Sequence, residues 1–162
     1  MKALLLIVPI LIISCGGSGG SSPSGIEGTG YSVSNETKEE LLDLVNDHRA
    51  SLGLARLVSA NPLTSEIQNH SNNMAAQTTP FGHSGMSARC SNAKSAMGGG
   101  NLCGEVIAAS SKGASAQDVF SQWMNSWGHR AKIEEPRYNR VGIGMTLDKE
   151  KELYSGLLFL EI

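Results

Sequence analysis

The chain has 162 residues and a formal net charge of −2, enough for one ordinary domain and hardly a second. With 40% hydrophobic and 17% charged residues it is too apolar for a disordered chain. The balanced charge argues against a nucleic-acid partner, which would call for a basic excess or stripe. No apolar run reaches the ~18 residues needed to span a bilayer as a helix.

The first residues read as a targeting segment rather than as part of a fold. Met1-Lys2 is a positive start, Ala3 to Ile13 is apolar apart from Pro9, and Ser14 and Cys15 follow. Ile12-Ile13-Ser14-Cys15 resembles the lipobox of bacterial lipoproteins, in which the signal is cut before the Cys and the Cys is acylated. On that likeness residues 1–14 are a cleaved signal peptide and Cys15 is the lipidation site. The protein is then exported and anchored to a membrane through Cys15. Gly16 after the Cys favours the outer membrane or cell surface. An ordinary signal with a chance Cys is the other reading. Residues 15–34 are rich in Gly and Ser and read as a flexible tether. Residues 35–162 form the folded domain.

Within that domain, residues 37–52 are expected to form a helix, with Thr37 and Glu40 as a capping box, Leu41, Leu44, Val45, His48 and Leu52 on one face, and Gly53 as the stop. Residues 62–76 form a second helix, capped by Asn61 with Pro62 in its first turn and Leu63, Ile67, His70 and Met74 along one stripe. The stretch 78–103 is rich in Gly, Ser and Asn and reads as a long irregular loop. Glu105–Ala109 is a strand candidate. Residues 116–127 read as a third helix with Ser115 and Asp118 as a capping box, Val119, Trp123 and Trp127 facing inward, and Gly128 ending it. Val141–Leu147 alternates with small residues and reads as a strand, Leu153–Leu160 is the closing strand, and the polar stretch Asp148–Glu152 between them suggests a hairpin. Helices first and antiparallel strands last imply an α+β layered domain.

Once Cys15 is assigned to lipid, Cys90 and Cys103 remain as an even pair in an oxidising compartment. A disulfide between them would staple the long loop and contribute about 3 kcal/mol in the loop-entropy model. A zinc site built on them is less favoured, because neither belongs to a Cys-x-x-Cys pair.

His83, Glu105 and His129 each lie beside a Gly, where backbone and ligand can approach closely. Two imidazoles and a carboxylate can hold a divalent metal or perform acid–base chemistry, and spacing alone leaves both open. His70 reads as a core histidine. Asn46 and Arg49 read as structural, tying the first helix to neighbouring loops. Arg130 suits either a bound anion beside His129 or a solvated position.

These residues occur in a recognisable order. Leu41-Leu-Asp-Leu-Val-Asn-Asp-His-Arg-Ala-Ser-Leu-Gly-Leu is followed by Asn69-His-Ser-Asn-Asn-Met-Ala, Gly82-His-Ser, Cys103-Gly-Glu, Trp123-Met-Asn-Ser-Trp-Gly-His-Arg-Ala-Lys-Ile and Arg137-Tyr-Asn-Arg-Val-Gly-Ile-Gly. From about residue 38 onward the chain resembles the CAP superfamily of SCP-like extracellular proteins, the bacterial members above all. The resemblance implies a three-layer α-β-α sandwich with a central antiparallel sheet, and a cleft lined by His83, Glu105 and His129. The family's second acidic position falls on Ser126, a poor base and ligand, and the Asn usual after Gly-Glu is Val106.

Three functions follow from these features. One is a non-catalytic binding or interaction module taking a lipid, glycan or protein in the cleft. A second is a zinc-dependent hydrolase in which His83 and His129 hold Zn²⁺ and Glu105 is the base. The third is a structural spacer of the cell envelope. Any Zn²⁺ held by two His is expected to bind weakly and not to be required for folding.

Overall fold

A computed structural model describes residues 31–162, and the candidate signal peptide, Cys15 and most of the tether lie outside the described residues. In chain order the elements are β1 (Tyr31–Ser32), α1 (Asn35–Ser51), β2 (Val58–Ser59), α2 (Asn61–Ala75), α3 (Met86–Ala96), β3 (Cys103–Ser110), α4 (Ala116–Met124), α5 (Trp127–Ile133), β4 (Arg140–Leu147) and β5 (Leu153–Leu160). The strands form one sheet in the order β1-β4-β5-β3, with β2 alongside β4. Pairing is antiparallel except for β2, which runs parallel to β4.

The period of two in the strands divides the core into two layers. Val106, Ala108, Val141, Ile143, Leu157 and Phe159 join Leu41, Val45, Val119, Trp123 and Ile133 of α1, α4 and α5. Ile107, Leu158 and Leu160 join Leu63, Ile67 and Met74 of α2 and Ala93 of α3 on the opposite face. The result is the α-β-α sandwich, with its sheet antiparallel but for β2. Gly142 and Gly144 let α2 lie directly on the sheet. A Cβ on Gly142 would stand 2.2 Å from the Leu63 carbonyl carbon, and one on Gly144 2.5 Å from the Ile67 oxygen.

The β4–β5 hairpin forms where expected. Its turn is organised by buried Asp148, which accepts the Glu150 and Glu152 N–H groups at 3.0 and 2.8 Å. The Ser115/Asp118 capping box of α4 also forms.

Several sequence expectations are corrected. Helix α1 starts two residues early, because Ser34, not the Thr37/Glu40 pair, caps it by accepting the Thr37 N–H. Leu52 lies past its end and is half exposed. The cap of α2 is Ala60, without a side-chain bond, and Asn61 is already helical. The expected 78–103 loop contains α3. The expected third helix breaks at Asn125–Ser126 rather than at Gly128, which lies inside α5. Trp123 is then fully buried, whereas Trp127 swings out and is 80% exposed. At the other end, Tyr31 and Ser32 of the expected tether pair with Leu147 and Thr146 of β4.

Candidate functional site

Strand β3 is an edge strand whose one pairing partner is β5. Glu105 is its third residue, pointing with Ile107 toward the α2–α3 layer, and its side chain is wholly buried. A buried carboxylate needs compensation, and Arg89 of α3 supplies it. The guanidinium forks onto the carboxylate, Nε to Oε2 at 2.7 Å and Nη2 to Oε1 at 2.8 Å. Its Nη1 donates to the Ser84 carbonyl at 2.8 Å.

His83 completes the cluster. Its Nδ1 lies 2.9 Å from Glu105 Oε1. A carboxylate held by Arg only accepts, so Nδ1 carries the proton and Nε2 keeps its lone pair in neutral His83. The His83 side chain is about half exposed, at 48%. The segment that carries it is fixed from below by buried His70, whose Nε2 donates to the Gly82 carbonyl at 2.9 Å. Gly85 ends the segment with φ +78°, a left-handed conformation that turns the chain into α3 at little cost only for glycine. Burial pushes His70 below the ordinary imidazole range, its Gly82 bond opposing and the Arg89 charge reinforcing the shift.

His129 sits on α5, two residues after Trp127. Its Nδ1 is buried with no hydrogen-bond partner among the described residues. Burial, and then the nearby His83, hold it in the neutral form below the usual range. The two imidazoles are thus close enough for His83 to be felt at His129. Ser126 opens α5 and makes no capping bond with its hydroxyl.

In a cluster of two His and one carboxylate, Glu105 can serve as a direct ligand or as the acceptor behind an imidazole N–H. Both Glu105 oxygens are already engaged, and among the described residues no three His, Cys, Asp or Glu side chains are arranged to hold a metal ion. The Glu105 carboxylate faces Nδ1 of His83, the placement of the second of these roles.

Arg89 was invisible while its segment read as loop. The signal was nevertheless present. Cys90 and Cys103 do form a disulfide, with Cα atoms 6.0 Å apart, and this bond sets the residue before Cys90 near the residue two after Cys103. Those two residues carry opposite charges. Gly104 between them is required by packing. A Cβ there would stand 2.1 Å from the Tyr138 hydroxyl oxygen, and burial pushes that phenol up to about 12.

The sequence matches the model of the cysteine-rich secretory protein family, CAP, over residues 42–157. The chain belongs to the CAP family. An outer surface protein of Borrelia burgdorferi has the same fold with a TM-score of 0.67 at 18% identity, covering 82% of this chain and 98% of that one. An extracellular SCP-domain protein of Bacillus anthracis gives 0.63 at 21% identity, covering 82% of this CAP chain but 45% of its own. NaASP2, solved with Zn²⁺, gives 0.59 at 14% identity, covering 78% and 80%. At such identities the likeness is one of fold. No curated protein matches the sequence significantly. The CAP motifs acquire physical reasons here. Cys103-Gly-Glu places a disulfide, a glycine under Tyr138 and the buried acid in succession, and Val141-Gly-Ile-Gly is the bed of α2.

Proposed function

We propose that this protein is an exported, lipid-anchored CAP domain of bacterial type. It acts as a non-catalytic binding or interaction module whose His83–His129 cleft takes a divalent metal and, with it, a lipid, glycan or protein ligand. The apolar leader ending in Ile12-Ile13-Ser14-Cys15 supports export and anchoring. The descriptions of the Borrelia and Bacillus proteins as outer-surface and extracellular agree with this reading.

The observation that carries the metal reading is the Arg89–Glu105–His83 chain beside an unpartnered His129 nitrogen. A carboxylate behind an imidazole is the arrangement that orients a metal-binding histidine. The residues fit a borderline ion such as Zn²⁺: two imidazoles, one bonded through Nδ1 so that Nε2 is left for a ligand, and one with an orphaned buried nitrogen. Bound metal would supply a positive centre in the cleft for an anionic or carbonyl-bearing ligand. Two protein ligands make an open, weak site, and the hydrophobic layers do not involve it, so the metal-free domain should fold. The hydrolase reading is less favoured, since Glu105 is wholly buried and already accepts from Arg89 and His83.

Calorimetric titration with Zn²⁺ at two pH values tests the proposal. Binding should weaken as pH falls below about 6.5, where protons compete for the imidazoles. His83→Ala and His129→Ala should each remove most binding while leaving the fold intact. Undiminished binding in the double variant would overturn the assignment.

A further inference from the structure

We infer that Arg89 is a positioning residue for His83, acting through Glu105, and that the Cys90–Cys103 disulfide holds this relay in register. For its consequence on metal the inference rests on the cleft reading above; for its geometry it does not.

The argument starts from tautomers. In water, neutral histidine favours the form with the proton on Nε2. His83 is held in the other form, because its Nδ1 faces Oε1 of an acceptor-only carboxylate at 2.9 Å. That choice depends on where the carboxylate plane lies. Among the described residues Glu105 has no backbone or hydroxyl donor on either oxygen; the groups that hold it are the Arg89 fork and the His83 N–H. The fork fixes the plane by two nearly parallel bonds and leaves an Oε1 lone pair aimed at the imidazole. Without it, one exposed imidazole bond would have to hold a buried carboxylate alone.

The fork in turn depends on where α3 stands. This helix has few apolar anchors, with Arg89 and Ala93 its buried residues. Its position against β3 comes from Cys90, the neighbour of Arg89, bonded to Cys103, two residues before Glu105. Arg89 Nη1 also reaches the Ser84 carbonyl at 2.8 Å, next to His83 itself. One side chain therefore joins the strand, the helix and the histidine segment. The disulfide sits at the hinge of that triangle, so breaking it frees α3 to drift and loosens the grip on Glu105.

Long-range proton–nitrogen NMR on the metal-free, full-length protein reads the His83 tautomer directly, at about pH 8, above the imidazole range. Wild type should show the proton on Nδ1. Arg89→Gln should shift His83 toward the Nε2–H form and weaken Zn²⁺ binding about 10-fold or more, the usual cost of losing an outer partner of a ligating histidine. Arg89→Lys keeps the charge but not the fork, so it should retain the fold and fall between the two. Wild type reduced with a dithiol should move in the same direction. An unchanged tautomer in Arg89→Lys and in reduced, still-folded wild type would overturn the inference, even if Arg89→Gln fails to fold. A tautomer that shifts in a protein that takes up no Zn²⁺ in any form would sustain the positioning role and remove the metal reading alone.

Discussion

Arg49 is fully buried in α1, and its hydrogen-bond acceptors are all backbone carbonyls. Its guanidinium donates to Ala55, Ile133, Glu135 and Tyr138 at 2.9, 2.7, 2.9 and 3.1 Å. Four carbonyls from two distant segments lose their partner together if it is removed. Each unsatisfied buried group costs about 1–3 kcal/mol, so Arg49→Ala should lose about 3 kcal/mol or more, read as a lower urea midpoint. Asn46, one turn earlier, exchanges two bonds with the Leu57 backbone at 3.1 and 2.7 Å. That Asn46 and Arg49 are structural was legible from their place on the first helix. Which carbonyls they hold was not, because those lie six, eleven and more than eighty residues away, beyond the helix itself. The buried histidines bring a pH dependence. His70 and His129 are held below 6.5 in the folded domain, chiefly by burial, while the unfolded chain protonates near that value. As pH falls through 6.5 the unfolded state binds more protons, so the stability fully present above 6.5 is lost progressively on acidification. Urea titrations of the metal-free protein at several pH values should show this decline, with a shallower slope in His70→Gln.

At the scale of elements, α3 shows why a helix can escape a sequence reading. Its buried residues are Arg89 and Ala93, and Cys90 is partly covered, so there is no apolar stripe to detect. A covalent bond and an ion pair position it instead of a hydrophobic face. Reducing Cys90–Cys103 should therefore act there first. The loop spans 13 residues, for which chain entropy suggests about 3 kcal/mol. Thermal unfolding with and without a dithiol should show a lower midpoint, and hydrogen exchange should speed up in Met86–Ala96 before it does in the sheet. The broken third helix was illegible for a different reason. Val119, Trp123 and Trp127 keep helical spacing through 127, but the chain turns at Asn125–Ser126 and directs α5 back over the sheet through Ile133. Periodicity records which residues are apolar and misses a change of axis. The strands β4 and β5, by contrast, were readable almost to the residue, since each is a short apolar run and the polar stretch Asp148–Glu152 separates them.

For the whole molecule, the layered class follows from element order, and the resemblance supplied the sandwich. The His83–Glu105 contact needed the fold, because it joins a loop over one face to the edge strand. The anchor proposed at Cys15 has its own test. Intact mass of protein taken from membranes should exceed the polypeptide beginning at Cys15 by the mass of acyl chains, and Cys15→Ala should release the domain from the membrane fraction. The described sheet has a further property. Strand β5 is last in chain order yet lies in the middle, between β4 and β3. Until Leu153–Leu160 has been synthesised, β3 has no strand to hydrogen-bond, and Leu158 and Leu160 are missing from the layer that covers α2. A chain built this way cannot complete its sheet while it is being made. Its hydrogen-bond ladder closes only once that last strand is in place.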